Sequence, residues 1–186
     1  SDVCSSDLGE PFLHPQILDI ISYIAKQQLT CYVYTSGIYM KDEVYSSLPN
    51  EYIEAIRGMV DKVIFNVEAD SSALYDQIMG TDVGGFDMMK KSINDCVSSG
   101  LLVETHVVPM QVNFKHLKSI FEMCYQLGVS KVSILRLVLQ GRALENLSLV
   151  KLTGEDSREV TKLIKALKEA YKGKVRIGLP YSDSNC

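Results

Sequence analysis

Polar residues that could carry chemistry interrupt the apolar segments of this 186-residue chain at five places. They are Gly9-Glu10-Pro11, Thr35-Ser36-Gly37, 66–70, Thr105-His106 and 136–142. Each contains a carboxylate, hydroxyl, amide, imidazole or guanidinium group just where an apolar run ends. Such groups fix the polar parts of a small ligand or move protons.

Other chemistries have no matching pattern in the chain. No Ser-His-Asp order with a nucleophile elbow occurs, and no phosphate-binding loop is present. The three histidines, His14, His106 and His116, do not have the spacing of metal ligands. The five polar places are therefore the candidates for function.

The elements around these places alternate between helix-like and strand-like segments. Strand-like runs begin near residues 31, 62, 101, 131 and 174, and one-sided apolar helices separate them. Asn113 is predicted to cap one of these helices, over 113–127. The alternation predicts an α/β fold with a parallel sheet. In such a sheet the carboxyl ends of the strands share one edge, where ligands bind.

Composition excludes several classes of protein. Apolar residues make up 46% and charged residues 23%, which is typical of a folded globular chain. The formal net charge of −4 predicts no basic face, so no nucleic-acid partner is expected. No apolar run approaches the roughly 20 residues of a membrane span, so no membrane partner is expected. Five widely spaced cysteines favour a reducing, cytoplasmic setting.

Several polar segments match, in chain order, motifs of one enzyme superfamily. Leu8-Gly9-Glu10-Pro11 is similar to a Gly-Gly-Glu-Pro motif, and Thr35-Ser36-Gly37 to a Thr-Asn-Gly that ends the next strand. Residues 66–80 keep the spacing of a Ser-Leu-Asp-Gly region with different letters, and 135–143 resembles a later strand end. The chain thus resembles the radical S-adenosylmethionine (radical SAM) enzymes, and its Gln-Gly-Arg the members with a SPASM or twitch extension.

The resemblance implies a fold and a domain organisation. Residues 9–179 would form an α/β core, a partial (βα)6 TIM-like barrel with a parallel sheet, with the first βα unit and the second strand missing. Residues 1–8 are polar and aperiodic and are interpreted as a non-native junction. Residues 180–186 would begin a SPASM- or twitch-like extension. Without an outer neighbour, the strand at 31–35 is expected to be an exposed, aggregation-prone edge.

The resemblance also implies an activity and its cofactors. Radical SAM enzymes cleave SAM reductively at a [4Fe–4S] cluster, and the resulting 5′-deoxyadenosyl radical abstracts hydrogen from a substrate. The substrate would be a small molecule or a peptide, in peptide modification or cofactor maturation. The electron donor would be of flavodoxin or ferredoxin type. The CxxxCxxC cluster motif is absent and would lie upstream of residue 8, so the fragment itself is expected to be inactive.

By the same resemblance, cofactor contacts are expected from eight residues: Gly9, Glu10, Pro11, Thr35, Ser36, Asn66, His106 and Arg136. Glu10 would accept a hydrogen bond from the amino group of SAM. Asn66 would bind its ribose hydroxyls or carboxylate, and His106 its adenine. Arg136 interrupts an apolar strand, so it is expected to be buried and paired with a ligand carboxylate or a structural acid. Cys186 would be a metal ligand for an auxiliary iron–sulfur cluster.

Structural interpretations of the same residues remain open at this point. Glu10 suits a turn before a helix, Asn66 suits a satisfied strand end, and a strand histidine is often structural. Two other functions are also compatible with the sequence. One is a TIM-type lyase or hydrolase that uses Glu10 and His106 as an acid–base pair. The other is a barrel without a cluster that binds ligands without catalysis.

Overall fold

The computed structural model describes residues 3–6, 10–139, 141–172, 174 and 176–178. The strands are β1 (Val3–Ser6), β2 (Thr30–Thr35), β3 (Ile38–Lys41), β4 (Val44–Ser47), β5 (Lys62–Asn66), β6 (Val103–Val107), β7 (Lys131–Ile134) and β8 (Arg176–Gly178). Six of them form a sheet in the order β1-β2-β5-β6-β7-β8, in which every pairing is parallel. β3 and β4 form a separate antiparallel ribbon.

Helices connect the strands. They are α1 (Ile17–Lys26), α2 (Asn50–Ile56), α3 (Ser72–Met79), α4 (Gly85–Ser98), α5 (Leu117–Gln126), α6 (Arg142–Glu145), α7 (Leu147–Val150) and α8 (Gly154–Ala170), with 3-10 turns at Pro11–Leu13 and Phe114–His116. Local sequence fixes several ends. Thr153 and Asp156 form a capping box at the start of α8. None of the described helices is long and apolar enough to cross a membrane.

One face of the sheet packs against helices and forms the hydrophobic core. Val63 and Phe65 of β5 lie fully buried in this core, together with Val103 and Val107 of β6. Ile64, between Val63 and Phe65, is also buried but is not part of the core cluster. Successive strand residues point to opposite faces, so Ile64 marks the second face of the sheet.

The second face carries a buried carboxylate surrounded by cations. Glu104 of β6 is 3% exposed, and its Oε2 accepts a hydrogen bond from Lys62 Nζ at 3.2 Å. Lys131 Nζ lies 3.6 Å from the same oxygen, and Arg176 Nη2 lies 3.6 Å from Oε1. Lys62, Lys131 and Arg176 are the first residues of β5, β7 and β8. This ion cluster therefore joins the amino ends of four neighbouring strands.

The structure confirms the predicted α/β fold with a parallel sheet and the five predicted strands. The expectation that the strand at 31–35 is an uncovered edge is wrong, because Val3–Ser6 pairs with Thr30–Val33 as a further outer strand. Strand pairing uses backbone groups, so a polar segment can provide it. That residues 1–8 are a non-native junction stays a prediction. The described strands do not close into a barrel.

The β3–β4 ribbon follows the carboxyl end of β2 and was not predicted. Ser92 of α4 ties both of its ends, since its Oγ donates to Gly37 O at 2.6 Å and accepts from Leu48 N at 2.8 Å. Gly37 has a φ of +77°, and a Cβ there would lie 2.8 Å from the Phe65 ring. The ribbon thus turns off β2 where only glycine fits.

Replacing the central carboxylate of the ion cluster tests its contribution to stability. Glu104→Gln leaves three cations around a neutral amide, and removing one partner of a buried ion pair costs about 3–5 kcal/mol. We expect a lower free energy of unfolding in urea denaturation. Glu54→Gln is the control, because its pair with Arg57 is exposed and worth at most about 1 kcal/mol. Equal stability of the two variants would contradict the prediction.

Candidate cofactor site

Four side chains meet on the second face of the sheet, near its carboxyl edge. Asn66, the last residue of β5, is the register partner of His106 in β6, and His106 is the partner of Ser133 in β7. The Tyr34 ring from β2 lies 5.5 Å from the His106 ring. The side chain of Asn66 is exposed, and its amide has no hydrogen-bond partner among the described residues. The group offers a free amide beside an aromatic surface.

The surroundings of His106 favour its neutral form. Burial lowers the pKa of His106 below its ordinary value, and the positive charges of Lys131 and Lys62 act in the same direction. Glu104 acts in the opposite direction but does not reverse the shift. A neutral imidazole presents one donor and one acceptor nitrogen and a flat ring. It suits an uncharged aromatic ligand such as a nucleobase better than an anion.

Glu10 is held by the first turn after β2. Its Oε1 accepts from Thr35 Oγ1 at 2.7 Å and from Phe12 N at 3.3 Å. Its Oε2 accepts from Ser36 N at 2.8 Å and from Ser36 Oγ at 2.6 Å. These four donors fill the roughly four acceptor positions of a carboxylate. In the described structure, Glu10 therefore fixes the loop before Pro11 to the carboxyl end of β2.

The same bonds engage the hydroxyls of Thr35 and Ser36. Thr35 is buried, and its Oγ1 also accepts from Gly37 N at 2.9 Å. Ser36 Oγ also accepts from Ile38 N at 3.2 Å. Pro11 is buried in the 3-10 turn that follows Glu10. These predicted contact residues thus form one framework around Glu10, whereas Asn66 and His106 meet separately.

Two residues that the sequence did not single out as a pair join the ends of β5 and β6. Glu68 is buried, and its Oε2 accepts from Val108 N at 2.9 Å and from Asn113 Nδ2 at 3.4 Å. Burial raises the pKa of Glu68 to about 8, although the bonds from Val108 and Asn113 act to lower it. Glu68 is therefore largely protonated at neutral pH.

Asn113 lies at the N-cap position of the 3-10 turn, but its side chain does not make the capping hydrogen bond that was predicted. It is fully buried, and its Nδ2 donates to Glu68 O at 3.0 Å and to Val108 O at 3.1 Å. Its Oδ1 accepts from Met110 N at 2.7 Å. The side chain is thus used on partners distant in sequence, which no local pattern reveals.

Asp70 connects the β5 end to α5. Its Oδ2 bonds His116 Nδ1 at 3.0 Å and also accepts from Ser119 Oγ. Burial acts to raise the pKa of Asp70, but the bonds from Ser119 and His116 outweigh it and bring the pKa below its ordinary value. The residue after it, Ser71, caps the following helix, α3. These contacts tie the loop after β5 to the start of α5.

Arg136 differs from its expected setting. β7 ends at Ile134, and Arg136 lies beyond it with an exposed side chain, so the expectation of a buried strand arginine is wrong. The apolar run 132–139 is only partly a strand, because the chain leaves the sheet after Ile134. Gly9 and Cys186 lie outside the described residues.

The cysteines in the described part do not form a metal centre. Cys31, Cys96 and Cys124 are buried at separate places in the core, and no group of three metal-binding side chains occurs in the described ranges. Burial raises the pKa of the Cys96 and Cys124 thiols to about 12, so both stay protonated. Metal ligation requires thiolates. These residues therefore do not fit an iron–sulfur cluster.

Comparison with known proteins supports one class. No family model matches the chain. The AdoMet-dependent heme synthase of Oleidesulfovibrio alaskensis is 22% identical over 152 residues, which are 82% of this chain and 37% of that protein. The chain therefore spans little more than a third of this curated relative.

Solved structures share the fold. SuiB of Streptococcus suis superposes with a TM-score of 0.72 at 11% identity, over 96% of this chain and 39% of SuiB. A domain of the pyruvate-formate lyase-activating enzyme from Bacteroides vulgatus gives a TM-score of 0.68 at 12% identity, over 96% of this chain and 98% of that domain. SuiB has also been solved with S-adenosylmethionine and with the precursor peptide SuiA.

These similarities confirm the resemblance to radical SAM enzymes and the predicted α/β fold with a parallel sheet. At these identities the solved structures establish the fold alone. The SPASM or twitch subtype, and the extension at 180–186, stay predictions.

The buried Glu68 carboxyl predicts a pH dependence of stability. The folded chain keeps its proton up to about pH 8, whereas the unfolded chain releases it near pH 4.5. Glu68 therefore stabilises the fold fully below pH 4.5, and this stabilisation is lost as the pH rises to about 8. The loss is at most about 1.4 kcal/mol per pH unit.

Glu68→Gln mimics the protonated carboxyl and removes this loss. In urea denaturation from pH 5 to 9, we expect wild type to lose stability relative to the variant up to about pH 8 and no further above it. Glu122→Gln, at an exposed position of α5, is the control and should run parallel to wild type. Parallel curves for Glu68→Gln as well would show that Glu68 ionises normally.

Proposed function

We propose that this chain is the SAM-binding part of a radical SAM enzyme, a class whose activity is the reductive cleavage of SAM to a 5′-deoxyadenosyl radical. The observation that carries the proposal is the pairing of an exposed Asn66 with a neutral His106 at the carboxyl edge of the sheet. The distant relationship to a protein described as AdoMet-dependent supports the same ligand.

The residues fit the polar and aromatic parts of SAM. The His106 ring would receive the adenine, because it and the Tyr34 ring, 5.5 Å away and tilted by 58°, provide a partly buried aromatic surface. The Asn66 amide would bond the ribose hydroxyls or the methionine carboxylate. When bound, SAM would supply the sulfonium group whose bond to the 5′ carbon is cleaved by reduction. The chain's own task is to bind and orient it.

The Glu10 framework would form the wall at the β2 end of this site. Its carboxylate already receives four donors, so its first effect is to hold Ser36 and the turn before Pro11 in place. An amino group of SAM would have to share an oxygen with one of these donors. That contact, and those of Gly9, Pro11, Thr35 and Arg136, remain part of the proposal.

No step of this proposal runs through an iron–sulfur cluster held by the described residues. Cys31, Cys96 and Cys124 do not fit a [4Fe–4S] group, and no group of three metal-binding side chains occurs among the described residues. That the cluster is held by cysteines upstream of residue 8 stays a prediction. A flavodoxin- or ferredoxin-type electron donor and a small-molecule or peptide substrate belong to the same proposal. The SuiB complex with its precursor peptide is the precedent for a peptide.

An acid–base hydrolase or lyase is less well supported. Both carboxylate oxygens of Glu10 already receive hydrogen bonds, from Phe12, Thr35 and Ser36. Among the described residues, no hydrogen bond joins Glu10 to His106. An acid–base pair must reach one substrate from compatible sides. The other alternative, a barrel without a cluster that binds ligands without catalysis, would be favoured if the longer protein bound SAM without iron.

Binding measurements test the site. Asn66→Ala and His106→Ala should each weaken SAM binding about tenfold, the loss expected for one good polar contact or ring surface of about 1.4 kcal/mol. Equilibrium dialysis with labelled SAM measures the affinity. Asn94→Ala, which removes an exposed amide on α4, is the matched control. No SAM binding by wild type, or no loss in either variant, would refute the proposed site.

Anaerobic reconstitution tests the assignment of the cluster to other sequence. With ferrous iron and sulfide, this chain should take up no stoichiometric [4Fe–4S] cluster, because its described thiols are buried and separate. Iron and sulfide analysis with visible absorption spectroscopy measures the outcome. Four iron atoms per chain with the cluster's absorption would contradict the prediction.

A further inference from the structure

The ladder between β5 and β6 ends next to the candidate site and is continued by one side chain. Val67 N still donates to His106 O at 2.9 Å, which is the last backbone bond there. One step beyond, the Asn113 amide lies between Glu68 and Val108 and bonds to both. Glu68 and Val108 each follow a site residue, Asn66 or His106, by two positions.

The Asn113 amide acts there as a substitute peptide group. Its Nδ2 faces three acceptors, Glu68 O, Glu68 Oε2 and Val108 O, at 3.0–3.4 Å. Its Oδ1 fixes Met110 N at 2.7 Å. Because Asn113 is fully buried, water cannot replace these bonds without opening the loop. The two strand ends are therefore held at a defined separation.

We propose that Asn113 is a positioning residue for ligand binding: by bridging Glu68 and Val108, it sets the separation and orientation of Asn66 and His106. The inference rests on the proposed function, in which these two residues contact SAM. Asn113 itself does not touch the ligand. Its effect passes through the backbone of two neighbouring strands, each by two residues.

Asn113→Asp tests the bridge with almost no change of shape. The new carboxylate still accepts from Met110 N, but it faces the backbone carbonyls of Glu68 and Val108, to which the amide donated. We expect SAM affinity at pH 7 to fall at least tenfold.

Ser130→Ala is the matched control. Ser130 Oγ donates to Val103 O at 2.7 Å, so this variant also loses one side-chain bond to β6, but at the amino end of the strand. Its SAM affinity should equal that of wild type. Equal losses in Ser130→Ala and Asn113→Asp would reduce Asn113 to a structural role and overturn the proposal.

A second readout does not need SAM. The chain has only three histidines, so the ring signals of His106 can be followed by NMR. Asn113→Asp should shift them and change the titration midpoint of His106. Unchanged His106 signals would overturn the inference even if SAM binds. Wild type that fails to bind SAM would refute the proposed function while this readout still tests the bridge.

Asn113→Ser provides the comparison if Asn113→Asp does not fold at neutral pH. The shorter side chain leaves the carbonyls of Glu68 and Val108 to water without adding a charge. The expected results are the same in direction, with weaker SAM binding and shifted His106 signals. Wild-type behaviour of a folded Asn113→Ser in both measurements would overturn the proposal.

Discussion

Parallel pairing of β2, β5, β6, β7 and β8 determines where this chain can bind a ligand. It brings the carboxyl ends of all these strands to one edge, and at that edge the backbone ladder stops. Buried backbone groups must still find partners. Side chains provide them here: Glu10 bonds the turn after β2, and Asn113 bridges the ends of β5 and β6. The candidate site lies between these two contacts, on a rigid edge rather than on free loops.

The two faces of the sheet carry different kinds of residue. The helix-covered face is apolar, and burial there raises the pKa of the Cys96 and Cys124 thiols, which behave as small hydrophobic residues. The other face is ordered along the strands. Glu104 and its three cations occupy the amino ends, and Asn66 and His106 lie near the carboxyl ends. The positive charges of Lys62 and Lys131 reach His106 and help to keep it neutral. The charges of the ion cluster around Glu104 therefore also act on the pKa of His106.

The sequence predicted what depends on local pattern. The strand starts and the polar residues at strand ends follow from the local order of apolar and polar residues. It did not predict partners distant along the chain. Asn113 looked like a helix cap because its local setting is that of a cap, yet its partner Glu68 lies 45 residues away. Arg136 looked buried because apolar residues continue past the end of β7. Residues 3–6 pair with β2 through backbone groups, so no side-chain pattern predicts this strand.

The β3–β4 ribbon has an energetic consequence for the motions of the chain. Its turn places Asp42 and Glu43 at φ values of +50° and +63°, a conformation that costs a non-glycine residue about 1–2 kcal/mol. A two-stranded ribbon is marginal by itself. It persists because Ser92 bonds both of its ends to α4 and because Ile38 and Tyr39 pack against the hydrophobic core. Since neither strand of the ribbon pairs with the six-stranded sheet, opening of the ribbon would break none of the sheet's backbone hydrogen bonds.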